Sequence, residues 1–366
     1  MRILFIRVIG KKKFGGGERW VVNTAIALRD RGHQVTVAGR KGGILLWEAA
    51  AKELDVLPFH LNALNRLLKT IQLAGFMRKQ KVDVVICMSR ELSVAGLAAR
   101  FGGKPAVVRR ASSPPSKNSW KIRLRARLFV DGVVTNTATI RDAYEKMGLA
   151  EDDFIKVIYN GVLIDDQTPA YDFSKEFPGR TIALCVGRAV ADKGYFYLVD
   201  ALPAIQKACP ELLFYVIGDG KDLDRLRQYA KEKGVEHSIH FAGYIHQPVS
   251  YYKACDLFVH PSLYEGMPNA PMEAMAYGKP VIMTRVDGAE ELSQGGRHAV
   301  LIPPADADAI SREVIHAMQQ PDKMHSMGEA AKTFVREQFG REARITELEQ
   351  FILERLEKKR RQKKQA

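Results

Sequence analysis

Short, almost wholly apolar runs recur along this chain, each followed by a segment of helical periodicity. That alternation restricts the fold more than any other feature. In the first half the runs are Ile3–Val8, Gln34–Ala38, Asp83–Cys87, Ala106–Arg109, Gly132–Thr135 and Ile155–Ile158. In the second half they are Thr181–Val186, Leu212–Ile217, Ile239–Phe241, Leu257–His260, Pro280–Met283 and Ala299–Ile302. Continuous apolar runs, rather than polar–apolar alternation, mark strands covered on both faces. Helical periodicity between them, as in Glu18–Arg31, Gly194–Ala208 and Lys221–Lys233, predicts strand–helix–strand units and parallel sheets of the doubly wound kind. So many strands are too many for one such sheet, and 366 residues suffice for two or three domains of roughly 100–200 residues. The segment 161–180 lacks periodicity and holds two prolines, which places the linker there. The expected domains are residues 1–165, joined by a C-terminal segment 341–366, and residues 166–340. The segment Arg341–Lys359 reads as one long polar helix running into a basic tail.

Composition narrows the functional classes. At 46% apolar and 27% charged residues the chain has the balance of a soluble globular protein. It contains no run of 18 apolar residues, so no spanning helix is expected. The first apolar run is broken by Arg7 and followed by Lys11–Lys13, an order unlike a secretory signal. Cys87, Cys185, Cys209 and Cys255 lie far apart without a CxxC pair, so neither a zinc site nor a disulfide framework is expected, and a reducing cytosol is the default compartment. The formal net charge of +14 points to an anionic partner. All of it belongs to residues 1–166, since residues 167–366 carry 27 bases and 27 acids. Residues 92–130 hold nine bases and no acid, and the last nine residues carry six bases.

Three stretches carry chemistry. Gly15-Gly16-Gly17-Glu18 follows the first strand and opens a helix, where a close backbone and a helix N-terminus favour an anion. It is neither a Walker loop nor a GxGxxG, because Trp20 takes the last glycine position. After a strand in the second half, Gly187 and Gly194 bracket a loop carrying Arg188 and Lys193, two cations able to converge on one anion. A second loop runs from His260 to Pro280 and holds Glu265 and, on the following helix, Glu273. Carboxylates accept paired hydrogen bonds from vicinal hydroxyls, so two of them suit a ribose and a hexose. No His or Asp completes a metal-ligand set there, and no metal site is expected.

The pattern PSxxEGxPxxxxEAMAxGxPVI at 261–282 resembles the retaining glycosyltransferases of the GT-B fold, family 4. The resemblance extends along the chain: GGGE at 15–18, RGHxVTV at 31–37, NGV at 160–162, GR…KG at 187–194, GDG at 218–220 and FAGY at 241–244. It implies an α/β fold of two Rossmann-like doubly wound domains facing an interdomain cleft, with the C-terminal helix crossing back to the first domain. It implies that Glu273 binds the donor ribose and that Glu265 holds the donor sugar. Arg188 and Lys193 neutralise the diphosphate, with Gly16 and Gly17 facing it from the first domain and Gly187 freeing the backbone. Gly218, Gly220, Gly243 and Tyr244 line the base pocket; Gly266, Met267, Pro268, Asn269 and Ala270 reach the sugar and phosphate through their backbone. Ser89, Arg90, Glu91, Arg109, Arg110 and Lys117 are the acceptor-side candidates. Many relatives place a histidine in the first domain; here VVRRASSPPS at 107–116 has none, so no protein base is assigned.

The expected activity is transfer of a sugar, with retention and without a metal or other cofactor, from a nucleoside diphosphate sugar (a UDP-sugar favoured) to an anionic or lipid-linked glycan acceptor. SRELSVAGLAAR at 89–100 and the bases after it resemble the lipopolysaccharide-type branch, which adds lipopolysaccharide or cell-envelope glycan synthesis to the expectation. Trp120 and Leu124 among the bases 117–127, together with the tail, fit a cytoplasmic enzyme held on the anionic inner face of a membrane. His260 is read as supporting its loop, and His33, His60, His237, His246, His298, His316 and His325 as loop or surface residues. Two rivals remain at this point. A nucleic-acid-binding protein fits the charge but lacks a reader motif and interleaved aromatic platforms, so no nucleic-acid partner is expected. A GT-B nucleotide-sugar epimerase fits the same donor motifs.

Overall fold

The computed structural model describes residues 1–11, 15–62, 64–88, 91–114, 120–149 and 153–365. The chain forms two compact units, residues 1–160 with 342–366, and residues 161–341. No helix among the described residues is long and apolar enough to cross a membrane.

In the first unit the chain alternates β1 (Arg2–Ile6), α1 (Gly16–Asp30), β2 (Gln34–Gly39), α2 (Ile44–Ala51), β3 (Asp55–Pro58), α3 (Arg66–Lys79), β4 (Val84–Cys87), α4 (Leu92–Phe101), β5 (Ala106–Ala111), α5 (Trp120–Phe129), β6 (Gly132–Thr135), α6 (Ala138–Tyr144) and β7 (Ile155–Val157). All seven strands pair in parallel, in the order β3-β2-β1-β4-β5-β6-β7. Successive side chains of a strand point to opposite faces, and the two faces build separate cores. Ile3, Phe5, Val84, Ile86 and Val108 pack against α1 and α2. Leu4, Ile6, Val85, Cys87 and Val107 pack against α3, α4, α5 and α6. Full burial of both faces is why the strand segments read as unbroken apolar runs.

The second unit continues with β8 (Thr181–Val186), α7 (Tyr195–Ala208), β9 (Leu212–Ile217), α8 (Leu223–Glu232), β10 (Ile239–Gly243), α9 (Val249–Ala254), β11 (Leu257–His260), α10 (Asn269–Ala276), β12 (Val281–Thr284), α11 (Ala289–Ser293), β13 (Val300–Ile302), α12 (Ala307–Gln319) and α13 (Pro321–Gln338). Its six strands are also parallel, in the order β10-β9-β8-β11-β12-β13. The last helix, α14 (Arg341–Gln365), belongs almost wholly to the first unit.

Three features depart from the sequence reading. Strand β3 was not expected: Asp-Val-Leu-Pro has no apolar run, because it is a sheet edge with exposed residues and a proline. The C-terminal helix is not polar all round. Ile345, Leu348, Phe351, Ile352 and Leu356 are buried in the core formed with α1 and α2, and their spacing follows one helical face. His298 lies in the loop before β13, as read, but is buried there and stacked on Phe334 at 4.6 Å. The tail is also less free than its composition implied: Lys358 pairs with Asp153, Lys359 with Asp131 and Arg360 with Asp83, all within the first unit.

Candidate active site

In an open parallel sheet, ligands bind outside the carboxyl ends of the strands where the chain leaves a central strand in both directions. In the second unit that switch point lies between β8 and β11. The Gly187–Gly194 loop follows β8, the Gly218–Gly220 loop follows β9, Tyr244 follows β10 and the Glu265 loop follows β11. All four therefore stand on one edge.

Backbone contacts lock these loops together. Gly218 donates its amide to Gly243 O at 2.7 Å, Ala189 to Asp219 O at 3.1 Å and Leu263 to Asp192 O at 2.8 Å. Two glycines are sterically required. Gly194 (φ 70°) would place a Cβ 1.8 Å from Pro261 O, and Gly218 (φ 149°) would place one 1.8 Å from Gly187 O. No side chain fits either position, so the glycines of GR…KG and GDG are required by packing.

The centre of the edge is Glu265. Its Oε1 accepts from Lys193 Nζ, from His260 Nε2 at 3.0 Å and from Ser262 Oγ at 3.2 Å. Ser262 is fixed in turn by Thr284, whose hydroxyl donates to Ser262 O. All three of these bonds fall on one oxygen, so Oε2 takes none of them. Burial alone would raise the Glu265 carboxyl, but His260 and Lys193 outweigh it and hold the group at about 2. Burial pushes the His260 imidazole below its usual value, so at neutral pH it is uncharged and donates Nε2–H to the carboxylate. Arg188 is exposed, whereas Lys193 is only partly so and is already paired with Glu265. The expected cation pair thus consists of one cation in solvent and one held by a carboxylate.

Helix α10 begins at Asn269 after Pro268, and Met267 and Pro268 are buried beneath the turn. Pro271 occupies its first turn, where a missing amide costs nothing. Glu273 lies one turn in, partly exposed, and raises the phenol of Tyr277 after burial has done so first. Gly266 and Ala270 are partly exposed on the same edge, and Gly220 packs with its Cα against Ala189 O. Tyr244 is exposed, its hydroxyl 3.4 Å from His246 Nδ1.

In the first unit the switch point lies between β1 and β4. Gly16 and Gly17 open α1 there, and Gly15 N donates to Glu18 Oε2 at 2.9 Å, closing a cap. Glu18 also pairs with Arg7 at 2.8 Å. Arg110 is buried, stacks over the Trp20 ring at 4.0 Å and donates to Asn160 Oδ1 at 2.5 Å. Among the described residues its Nη1 has no hydrogen-bond partner. Burial, and then Arg7, pull its guanidinium below the usual value. Arg109 points to the other face of β5 and lies over Tyr144 at 5.2 Å. Glu91 is buried and its Oε1 accepts from Met88 N at 3.2 Å, a bond that shapes the turn into α4. Ser89, Arg90 and Lys117 lie outside the described residues.

Ser262, Arg7, Trp20 and Asn160 were not singled out from sequence. The serine sits inside the PSxxEG pattern and Asn160 inside NGV, so both were legible there; Arg7 and Trp20 are joined to them only by the fold. Among the described residues no three His, Cys, Asp or Glu side chains gather as metal ligands.

Known proteins bear on these two edges together. The family model described as glycosyl transferases group 1 matches residues 167–334, and the one described as glycosyltransferase family 4 matches residues 14–166. The lipopolysaccharide core biosynthesis glycosyltransferase LpsE of Rhizobium meliloti (strain 1021) is 26% identical over 339 residues, covering 90% of this chain and 94% of its own. The UDP-Gal:alpha-D-GlcNAc-diphosphoundecaprenol alpha-1,3-galactosyltransferase of Escherichia coli is 26% identical over 276 residues, covering 70% and 71%. Among solved structures, Anabaena Alr3699/HepE in complex with UDP superposes with a TM-score of 0.83 at 22% identity, covering 97% of this chain and 100% of that one. The two family models meet end to end at residues 166 and 167 and leave only the chain's extremities unmatched; on that ground the chain is a glycosyltransferase of the GT-B fold, built of a family 4 domain followed by a group 1 domain.

Proposed function

We propose that the protein is a retaining glycosyltransferase that moves a sugar from a nucleoside diphosphate sugar to an anionic or lipid-linked glycan acceptor in lipopolysaccharide or cell-envelope glycan synthesis. The observation that carries this reading is Glu265. It is a mostly buried carboxylate with one oxygen bonded three times and the other clear of those bonds, inside the EGMPNAPME loop and beside Lys193. Such a group can accept from a sugar hydroxyl without moving. Glu273, on α10, is assigned to the ribose, and Gly218, Gly243 and Tyr244 to the base.

As the anomeric bond breaks, negative charge grows on the leaving diphosphate. Arg188, Lys193 and the first amides of α10 stabilise that charge more than they stabilise the intact donor. This is the role a divalent metal plays elsewhere, and EDTA is expected to leave the rate unchanged. In retention the acceptor attacks the face that the diphosphate leaves, and the leaving phosphate can take the acceptor proton, so no protein base is needed. The Anabaena relative was solved with UDP-glucose, which supports a UDP-sugar donor. The relatives named for lipopolysaccharide core and diphosphoundecaprenol chemistry support a membrane-linked acceptor, and a cytoplasmic enzyme on the inner membrane face.

The test is product analysis. Incubation with UDP-sugars and a lipid-linked glycan should yield a product of the donor's anomeric configuration, read by NMR; inversion, or isomerised donor without transfer, would refute the reading. Arg188→Ala should lower kcat about a hundredfold with an unchanged melting temperature, since the side chain is exposed. Glu273→Ala should instead raise the donor KM, by about tenfold for a lost charged hydrogen bond to ribose. Full activity in either variant would remove that residue from the site.

A further inference from the structure

We infer that the first unit docks on an anionic lipid bilayer through the outer face of α3 and α5, so that the carboxyl edge of its sheet meets the membrane. The inference rests on the lipid-linked acceptor proposed above and names the element that reaches the lipid.

Helix α3 carries two apolar faces. Thr70, Leu73, Ala74 and Met77 face the core. Leu64 sits in the turn just before the helix, and Leu67, Leu68 and Ile71, at spacings of three and four, lie roughly 120° around it by the geometry of 100° per residue. Their exposures are 97%, 73%, 56% and 62%. Single exposed leucines are ordinary, but three on one face of the first two turns with a fourth just before them form a patch that needs a partner. Helix α5 repeats the feature with Trp120, Leu124 and Leu128 exposed while Ala126 is buried. The two helices flank α4 in one layer over the same core. Gly96 of α4 brings α5 close, since a Cβ there would lie 2.3 Å from Phe129 Cβ.

Charge selects the occupant. Residues 56–130 contain two acids, Asp83 and Glu91. Glu91 is buried and Asp83 is paired with Arg360. Helices α3, α4 and α5 therefore present no exposed carboxylate, while Arg66, Arg78, Lys79, Arg123, Arg125 and Arg127 are exposed around the apolar stripe. A basic, apolar helical face without acids suits the boundary between anionic headgroups and acyl chains. Its position matters as well. Helix α3 follows β3 and α5 follows β5, so the first turns of both stand at the carboxyl edge of the parallel sheet, the edge that holds Gly16, Gly17 and Arg7. The exposed apolar residues of α3 cluster in its first two turns and Trp120 opens α5, so insertion there would present the acceptor edge to a lipid-borne substrate. The tail is the weaker candidate, because its first bases are tied to Asp153, Asp131 and Asp83.

The experiment is flotation of the full chain with phosphatidylcholine vesicles, with and without phosphatidylglycerol. The quadruple variant Leu64→Gln, Leu67→Gln, Leu68→Gln, Ile71→Gln should lose tenfold or more of its partitioning onto anionic vesicles. Its melting temperature and UDP binding should not change, which separates this result from any failure of the donor assignment. Arg123→Gln with Arg125→Gln and Arg127→Gln should remove the preference for phosphatidylglycerol. Equal partitioning of wild type and quadruple variant overturns the proposal. So does loss of binding on deletion of residues 361–366 with none in the quadruple variant. A wild-type dimer that the quadruple variant converts to monomer, with vesicle binding unchanged, would assign the stripe to a second copy and overturn it as well.

Discussion

Glu265→Gln is expected to lower kcat about a thousandfold and to flatten the acid limb of the protein's stability. Both effects come from one charge. The carboxylate is mostly buried, and its Oε1 collects Lys193, His260 and Ser262. An amide of the same shape leaves Lys193 without its counter-ion and cannot offer a sugar hydroxyl a charged acceptor, and removing one such contact from a developing transition state costs roughly 10² to 10³ in rate. The stability effect has a defined direction. In the fold the carboxyl is drawn from the usual 4.5 to about 2. Its contribution is therefore complete above about pH 4.5 and is lost as pH falls toward 2, and a shift of that size corresponds to about 3 kcal/mol at most. His260 acts earlier: burial depresses its protonation in the fold, so the unfolded chain takes up that proton first and stability declines once pH drops below 6.5. Urea unfolding across pH should show the wild type losing stability in two stages, the first below 6.5 and the second below 4.5. The Gln variant should keep the first stage and show a shallower second one, because Asp153, paired with Arg355, and Glu349, bonded to Arg31 and His33, are also held low in the fold. A wild type with flat stability down to pH 3 would mean that Lys193 and His260 do not hold this carboxylate.

What could be read from the sequence was what repeats locally. Buried parallel strands need apolar residues on both faces, so their positions were legible from runs such as Leu212–Ile217, all of it buried. Edge strand β3 was not, because nothing covers Asp55 and Val56 and composition carries no trace of pairing. The glycine motifs were legible because backbone approaches at Gly194 and Gly218 exclude every other residue. Helix α14 was misread as polar because six charged residues from Arg341 to Glu354 outnumber the buried stripe of Ile345, Leu348, Phe351 and Ile352. Lys193 illustrates the limit at the site: its sequence position gives a cation near an anion, yet the fold spends that cation on Glu265, 72 residues away. Long-range partnerships of this kind, like Trp20 under Arg110, have no local signature.

Arg110→Met is expected to make the protein more stable and a poorer enzyme. Arg110 is 3% exposed, yet no carboxylate faces it among the described residues; its partners are the Trp20 ring and the Asn160 amide oxygen, and Nη1 is unsatisfied. Arg7 lies close enough to oppose the charge further. A buried cation without a counter-ion is costly, and exchanging buried charge for a well-packed apolar side chain of similar volume commonly stabilises by about 1 to 4 kcal/mol. With Asn160 losing its donor, the lower end applies, and about 1 kcal/mol should raise the melting temperature by roughly 2 to 4 °C in a unit of this size. A fold that tolerates such a residue beside the Gly16–Gly17 turn is holding a function at the expense of stability. An anionic group on the acceptor would supply the missing counter-charge, so transfer to that acceptor should fall a hundredfold or more while UDP binding, assigned above to the other unit, should be unaltered. Calorimetry and steady-state kinetics on the same preparation decide the matter. A variant that melts lower and transfers normally would make Arg110 a structural residue, satisfied by its aromatic and amide neighbours alone.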